Sequence, residues 1–447
     1  MGRRALCSVS RRPSSRAVSV LPCANQLPID PGHHPAPRSG RVQNVVIAKP
    51  YRFVPPHRGK FWWYVFRPIL KTYLRRTAGI VAVECRGTGR LRASLAAGHG
   101  IMLAPNHCRP CDPMVLGSLS VALNRPFYII ASWHVFMQKR LHAFLLPRLG
   151  VFSIYREGTD REALKTAMQV TAEGKRPLVI FPEGVISRHN DKLNHLMEGT
   201  ALMARGAARQ RAAKNPPGKV VVHPVAIRYF FDGDIAAAAP AVLRNIEHRL
   251  TWQSQDHLPL KERMARIGEA LLALKEVEYF GSAQSGSISV RLEQLIDRLL
   301  VPLETEWVKG RREKEIVARV KLLRTAIVPD MVGGNLSEPE LQRRWRHLGD
   351  MYLAQQLSLY PPDYLAADPT PERFLETIER FEEDMTDVAR VHAPMRAVIE
   401  VGEAIAVDPE RSRGTEGDPL MNGIREQLET MLARSLARRP AATAGQS

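Results

Sequence analysis

A chain of 447 residues with a formal net charge of +19, 45% of it hydrophobic and 24% charged, has enough apolar sequence to bury a core and is no disordered polyelectrolyte. Five cysteines, an odd and sparse set, exclude a disulfide framework and fit a reducing compartment. No uncharged run approaches the roughly 18–20 residues of a spanning helix, so the chain is expected to lie on a bilayer rather than cross it.

Residues 1–44 are rich in Arg, Ser and Pro, with no acidic residue before Asp30. The composition resembles a transit peptide, but no long amphipathic stretch or secretory apolar region accompanies it. The segment is expected to be a disordered basic tail, as is 438–447. Residues 45–79 follow, where Phe61-Trp62-Trp63-Tyr64-Val65-Phe66 lies among Arg58, Lys60, Arg67, Lys71, Arg75 and Arg76. Basic residues beside clustered aromatics describe a helix in the headgroup layer, with Trp62, Trp63 and Phe66 as its membrane-binding residues. A core-docked helix would use the same apolar stripe. Ile129, Ile130, Trp133, Phe136, Phe144, Leu145 and Leu146, among Lys139, Arg140 and Arg148, offer a second contact.

From 80 to 231 short apolar runs at 80–83, 101–104, 127–131, 151–154, 178–181 and 220–227 alternate with helical patterns such as 160–172 and 196–212. Such alternation predicts an α/β domain: a mostly parallel sheet flanked by helices, with its functional residues at strand ends. Residues 45–231 hold 29 Lys and Arg against 9 Asp and Glu, a net of +20. That excess attracts phospholipid headgroups, coenzyme A, acyl carrier protein or nucleic acid.

The chemistry-bearing residues sit where these runs end. After 101–104 come His107-Cys108-Arg109-Pro110-Cys111-Asp112-Pro113, with Asp112 expected at the N-cap of the next helix. A carboxylate there can fix the imidazole tautomer and leave the other ring nitrogen basic. Cys108 and Cys111 form one C-x-x-C, half a zinc site with no second cysteine pair in the chain, so no metal is expected. The run at 151–154 ends in Tyr155-Arg156. The run at 178–181 leads into Phe181-Pro182-Glu183-Gly184-Val185-Ile186-Ser187-Arg188, and 220–227 reads Val-Val-Val-His-Pro-Val-Ala-Ile.

In these four blocks, taken in order, the chain resembles the glycerolipid acyltransferase family that includes lysophosphatidic acid acyltransferases. The resemblance covers roughly 60–231. It implies transfer of a fatty acyl group from acyl-CoA or acyl carrier protein to a glycerolipid hydroxyl, in phospholipid biosynthesis, without a cofactor or an acyl-enzyme. His107 would be the general base and Asp112 its orienting partner. Arg156 would hold a phosphate of the acceptor, with Glu183, Gly184, Ser187, Arg188 and Arg109 binding substrate. The expected place is the cytoplasmic face of a membrane, peripherally bound to its anionic surface.

The chain departs from the family where F-P-E-G-T-R-S is common: Val185 and Ile186 stand at the Thr-Arg positions. Losing such a charge-assisted contact costs on the order of 1.5–3 kcal/mol. Either Arg188 or Arg109 replaces it, or the acceptor is not a simple phosphomonoester.

After 231 the charge turns acidic and helical periods dominate, at 258–275, 288–301, 303–323, 338–357 and 370–391, with Pro302 predicted to break or kink the chain between the second and third. Residues 398–407 restore a strand pattern and resemble the family's V-x-x-G-x-P-I-x-V segment, with 418–437 as the final helix. The expectation is therefore a helical insertion at 232–394 and a return to the sheet at 395–437; a separate domain appended after 231 is the alternative. No G-x-x-x-x-G-K-[ST], H-E-x-x-H or G-x-S-x-G occurs. No nucleic-acid-binding motif backs the basic charge, so nucleic acid is not an expected partner. The rival to the enzyme is a catalytically degenerate acyltransferase scaffold serving as a membrane-bound interaction protein.

Overall fold

The computed structural model describes residues 46–214, 218–361, 363–366, 368–386, 390–392, 394–410 and 417–437. The tails expected at 1–44 and 438–447 lie outside the described residues. Among the described residues the strands are β1 (Ile80–Arg86), β2 (Gly100–Pro105), β3 (Tyr128–Ser132), β4 (Val151–Ile154), β5 (Leu178–Val179), β6 (Val220–Phe231), β7 (Met395–Val401) and β8 (Ile405–Ala406). They make one sheet in the order β1-β7-β6-β2-β5-β3-β4, with β8 beside β6. β7 and β8 run antiparallel to β6, and the other pairs are parallel. The mostly parallel α/β sheet expected from the alternating runs is the observed fold.

Among the described residues eight helices precede the end of β6: α1 (Phe61–Phe66), α2 (Leu70–Ala78), α3 (Thr88–Ala96), α4 (Asp112–Ala122), α5 (Trp133–Met137), α6 (Arg140–Arg148), α7 (Arg161–Glu173) and α8 (Gly199–Ala212). Strand β2 shows why the sheet is covered on both faces. All six of its residues are buried, and successive side chains point to opposite faces. Met102 and Ala104 join one core with Ala167 and Val170 of α7 and Ala204 and Ala207 of α8. Ile101 and Leu103 join the other with Leu74 of α2 and Val115, Leu116 and Leu119 of α4.

Between β6 and β7 the chain builds α9 (Ile235–Arg249), α10 (Leu260–Phe280), α11 (Ile288–Val308), α12 (Ile316–Gly333), α13 (Glu338–Ser358) and α14 (Pro371–Thr386); α15 (Pro419–Ala437) follows β8. Phe231 pairs with Met395 across the sheet. Just beyond, the Asp232 amide donates to the Pro394 carbonyl at 2.9 Å, and Arg396 pairs with the Asp232 carboxylate at 3.1 Å. The helical region thus leaves and rejoins the sheet at adjacent points, which keeps the cost of closing so long a loop small. It has cores of its own, one from Leu295, Leu299, Leu323, Ile327 and Leu348, another from Leu243, Ile246, Ile267 and Ile378.

Several local expectations need correction. Pro302 does not break the chain: α11 runs through it, because the apolar stripe Leu295, Leu299, Leu300 and Leu303 is buried on both sides of it. That burial outweighs the single backbone hydrogen bond a proline removes. The aromatic segment is not one long helix but two short ones, separated at Arg67-Pro68. Its exposed side chains are also not the three aromatic residues singled out from the sequence. Trp62, Trp63 and Phe66 are only half-exposed, Trp63 donates its indole N–H to Ser120 Oγ at 2.8 Å, and Trp62 meets the Phe144 ring edge-on. The exposed apolar side chains are Phe61, Tyr64, Val65 and Ile69, with Leu141 and Phe144 on α6. None of the described helices is long and apolar enough to cross a membrane.

Candidate active site

Parallel strands bring the loops after β2, β3, β4 and β5 to one end of the sheet. His107 leaves β2 there. Asn106, just before it, is tied to the neighbouring strand: its amide donates to the Ile227 carbonyl at 2.9 Å and its oxygen accepts from the Ile227 N–H at 2.7 Å. His107 Nδ1 meets Asp112 Oδ2 at 2.8 Å. Asp112 is the first residue of α4 with Cys111 flanking it, not the N-cap residue expected. The reason is that its carboxylate is otherwise engaged. Oδ2 also accepts from the Arg109 amide at 2.9 Å, and Oδ1 accepts from the Tyr229 hydroxyl. Fully buried and held on three sides, the carboxylate can fix the imidazole with its proton on Nδ1. The His107 side chain is 15% exposed, so the ring remains reachable from solvent.

The F-P-E-G loop after β5 holds the other side of this histidine. Phe181 stacks on the imidazole with ring centroids 4.1 Å apart. Glu183 is buried, accepting from the His107 amide at 2.6 Å and the Asn194 amide at 3.1 Å. Burial outweighs these bonds and pushes its carboxyl up to about 7. Both oxygens are thus engaged with backbone, so Glu183 shapes the His107 loop rather than offering a free carboxylate to a substrate. Ser187 grips the same loop: its amide and its hydroxyl donate to the His107 carbonyl at 2.7 and 3.1 Å. Gly184 has φ +68°, where a side chain is strained, and a Cβ there would also push Met197 Sδ, 2.4 Å away, aside.

The arginines divide into two groups. Arg156, after β4, donates to the Gly184 carbonyl at 2.7 Å, and burial lowers its pKa. Arg109 pairs with Glu379 at 3.0 Å and lies 3.7 Å from Glu376, both on α14. Burial would lower the Arg109 pKa, yet these carboxylates raise it above its ordinary value. Arg188 pairs with Glu383, also on α14, at 2.5 Å. The two residues expected to replace the missing arginine therefore face the acidic helix of the insertion. Val185, at the threonine position, is buried, and Ile186, at the arginine position, is half-buried. Cys108 and Cys111 are free thiols, raised by burial first and then by the Asp112 charge, Cys111 to about 12.

An apolar cavity of about 1610 Å³ opens among α10, α11, α13 and α14, lined by Met264, Leu271, Leu292, Leu353 and Phe381 and bordered by Arg188, Glu376 and Glu383. A small cleft beside Cys108 and Arg109 shares those last three residues. Sequence reasoning missed Tyr229, Phe181, Asn106 and the α14 glutamates. Phe181 and Asn106 had a local signal, standing in the blocks that hold Glu183 and His107, and Tyr229 stands two residues beyond Ile227 on the same face of its strand.

Residues 82–228 match the family model described as Acyltransferase. This part of the chain is an acyltransferase domain of the glycerolipid acyltransferase family. The match spans β1 to most of β6 and so contains His107, Asp112, Arg156 and the F-P-E-G block, while α9–α14 and β7 lie beyond it. No curated protein matches the chain. An acyltransferase implies an acyl donor and, in this family, a lipid acceptor in general terms.

Proposed function

We propose that this acyltransferase moves a fatty acyl group from a thioester of coenzyme A or acyl carrier protein to the hydroxyl of a phosphate-bearing glycerolipid such as lysophosphatidic acid. The observation that carries the reading is the 2.8 Å contact of His107 Nδ1 with an Asp112 carboxylate that has two further donors. His107 Nε2 takes the proton of the acceptor hydroxyl as its oxygen attacks the thioester carbonyl. Asp112 stabilises the imidazolium that forms. The tetrahedral intermediate then expels the thiolate, which takes the proton back from Nε2 as free thiol, and the new ester bond replaces the thioester bond. Arg156 receives the acceptor phosphate, for which a planar guanidinium fork is suited. The apolar cavity bordered by Arg188 is large enough to admit a long acyl chain.

The protein works from the cytoplasmic face of a membrane as a peripheral enzyme. Exposed Phe61, Tyr64, Val65, Ile69, Leu141 and Phe144 lie beside Lys60, Arg67, Lys71 and Arg140, the combination of apolar side chains and cations that binds an anionic surface. A thiol-release assay with palmitoyl-CoA and lysophosphatidic acid tests the chemistry. His107→Ala should lower turnover about one hundredfold or more while the far-ultraviolet circular dichroism stays unchanged. Asp112→Asn should cost less, since a misoriented imidazole still has a lone pair. Undiminished turnover in folded His107→Ala sinks the mechanism. A wild-type protein that releases no thiol with any lysolipid acceptor would instead favour the degenerate scaffold.

A further inference from the structure

Arg324 of α12 is 4% exposed, and its Nε and Nη2 have no hydrogen-bond partner. It stands apart from its peers. Among the described residues every other buried arginine donates to an acceptor: Arg176 to the Arg58 carbonyl, Arg205 to Asp418, Arg228 to the Leu432 carbonyl, Arg263 to Glu247, Arg319 to Glu304, Arg344 to the Ile327 carbonyl and Arg380 to the Leu359 carbonyl. Guanidinium nitrogens withdrawn from water without a partner are among the least favourable groups a core can hold. They persist where a ligand repays them, and unsatisfied buried groups concentrate at such sites.

Its surroundings say what that ligand is. Arg324 feels the charge of Arg156, which with burial as the larger cause lowers its pKa to about 10. His134, on α5 at the end of β3, feels both arginines, and burial with these two charges takes it down to about 3, a neutral ring. Glu157 is the carboxylate that acts on both guanidinium groups, and it makes an ion pair with neither. Arg324, which has two unpartnered nitrogens, therefore lies within range of the Arg156 charge, and Glu157 acts on both. The site lies at the sheet end that carries His107, and Arg156 is bonded to the carbonyl of Gly184, next to the Glu183 that holds the His107 amide.

We propose that Arg324 and Arg156 together form a binding site for a phosphate ester, shared between the helical insertion and the sheet, in which Arg324 supplies the cation missing at Ile186. The proposal rests on the acyltransfer reading for the role of the site, though not for its existence. A phosphate ester can belong to the acceptor lipid or to the coenzyme A of the donor. The acceptor is the source favoured by the link of Arg156 to the F-P-E-G loop.

The full chain with Arg324→Met tests this, since the replacement keeps the bulk of the side chain and removes its charge. Glycerol 3-phosphate should raise the thermal midpoint of the wild type in a saturable way. Arg324→Met should begin at an equal or higher midpoint without ligand, because an uncompensated buried charge is gone, and should lose the response. Arg324→Lys should recover part of it. In the thiol-release assay Arg324→Met should raise the KM for lysophosphatidic acid about tenfold or more and leave the KM for acyl-pantetheine unchanged. A rise confined to acyl-CoA, absent with acyl-pantetheine, would assign the phosphate to the donor and overturn the acceptor assignment. A ligand-free Arg324→Met protein that is destabilised and still responds fully to glycerol 3-phosphate would overturn the site. A response lost in Arg324→Met, in a wild type that transfers no acyl group, would keep the site and sink the acyltransfer reading.

Discussion

The α14 edge and the α12 edge of the insertion treat the arginines near His107 in opposite ways. At the first, Arg109 and Arg188 are covered by Glu376, Glu379 and Glu383 of α14. At the second, Arg324 feels the charge of Arg156, and Glu157 acts on both without an ion pair to either. The difference separates two jobs that a cluster of arginines can do. A neutralised arginine fixes one element to another; an uncompensated one waits for an anion. The insertion is thus latched to the His107 loop along α14 and open for a ligand along α12.

The largest separation of the two edges is expected in substrate affinity. Arg156→Ala should raise the KM for the lipid acceptor by roughly 10–100-fold, the worth of a charge-assisted contact, and leave that for the thioester nearly unchanged. Arg156→Lys should recover part of the loss. Equal effects on both substrates would make Arg156 structural and erase the contrast. Arg188→Ala should instead act on stability, lowering it by about 1–3 kcal/mol through the stranded Glu383 carboxylate, with denaturant melts as the check. An acceptor KM that rises as much as in Arg156→Ala would place Arg188 among the phosphate contacts. Ile186→Arg sharpens the comparison further: with Arg324 already supplying a cation, it should bring no tighter phosphomonoester binding.

The α14 edge should also show in the pH dependence of stability. Burial pushes Glu376 up to about 8, and Glu183 up to about 7. Their pKa values lie above the roughly 4.3 of an unfolded glutamate, so the folded chain keeps protons that the unfolded chain has released. The stability they contribute is full below that value and is lost as pH rises through about 7 and 8. Glu376→Gln should flatten the upper part of that fall in thermal melts from pH 5 to 9. An unaltered profile would mean that Arg109 keeps Glu376 ionised throughout. Smallest of all should be the effect of Phe61, Tyr64 and Ile69 changed together to Ser. This triple variant leaves both arginine edges intact and should bind anionic vesicles more weakly, with salt releasing the remainder. Vesicle binding equal to the wild type would remove α1 and the α1–α2 junction from the membrane contact.

How much of this was legible in the sequence follows the reach of each interaction. The His107–Asp112 contact spans five residues and a helix start, so its spacing was enough to suggest it. The third partner of Asp112, Tyr229, lies 117 residues away and beyond the expected end of the strand at 227. The expected strand at 398–407 is two, β7 and β8, parted near Gly402, where a Cβ would meet Gln427 Oε1 at 2.5 Å. Arg109 and Arg188 looked free because their carboxylates stand 270 and 195 residues later in a helix, and no local pattern reports such a pairing. Arg324 was passed over for the same reason. One arginine in a helical period looks like any other until burial and partners are known.

The central claim, direct attack of a lipid hydroxyl on a thioester with His107 as base, is tested most directly by following protein and lipid masses together during turnover. Rapidly quenched mixtures of the full chain, palmitoyl-CoA and lysophosphatidic acid should show a diacylated lipid and free thiol appearing together, with the protein mass unchanged at every time point. A protein heavier by one acyl group, formed before the lipid product and discharged by adding acceptor, would contradict it.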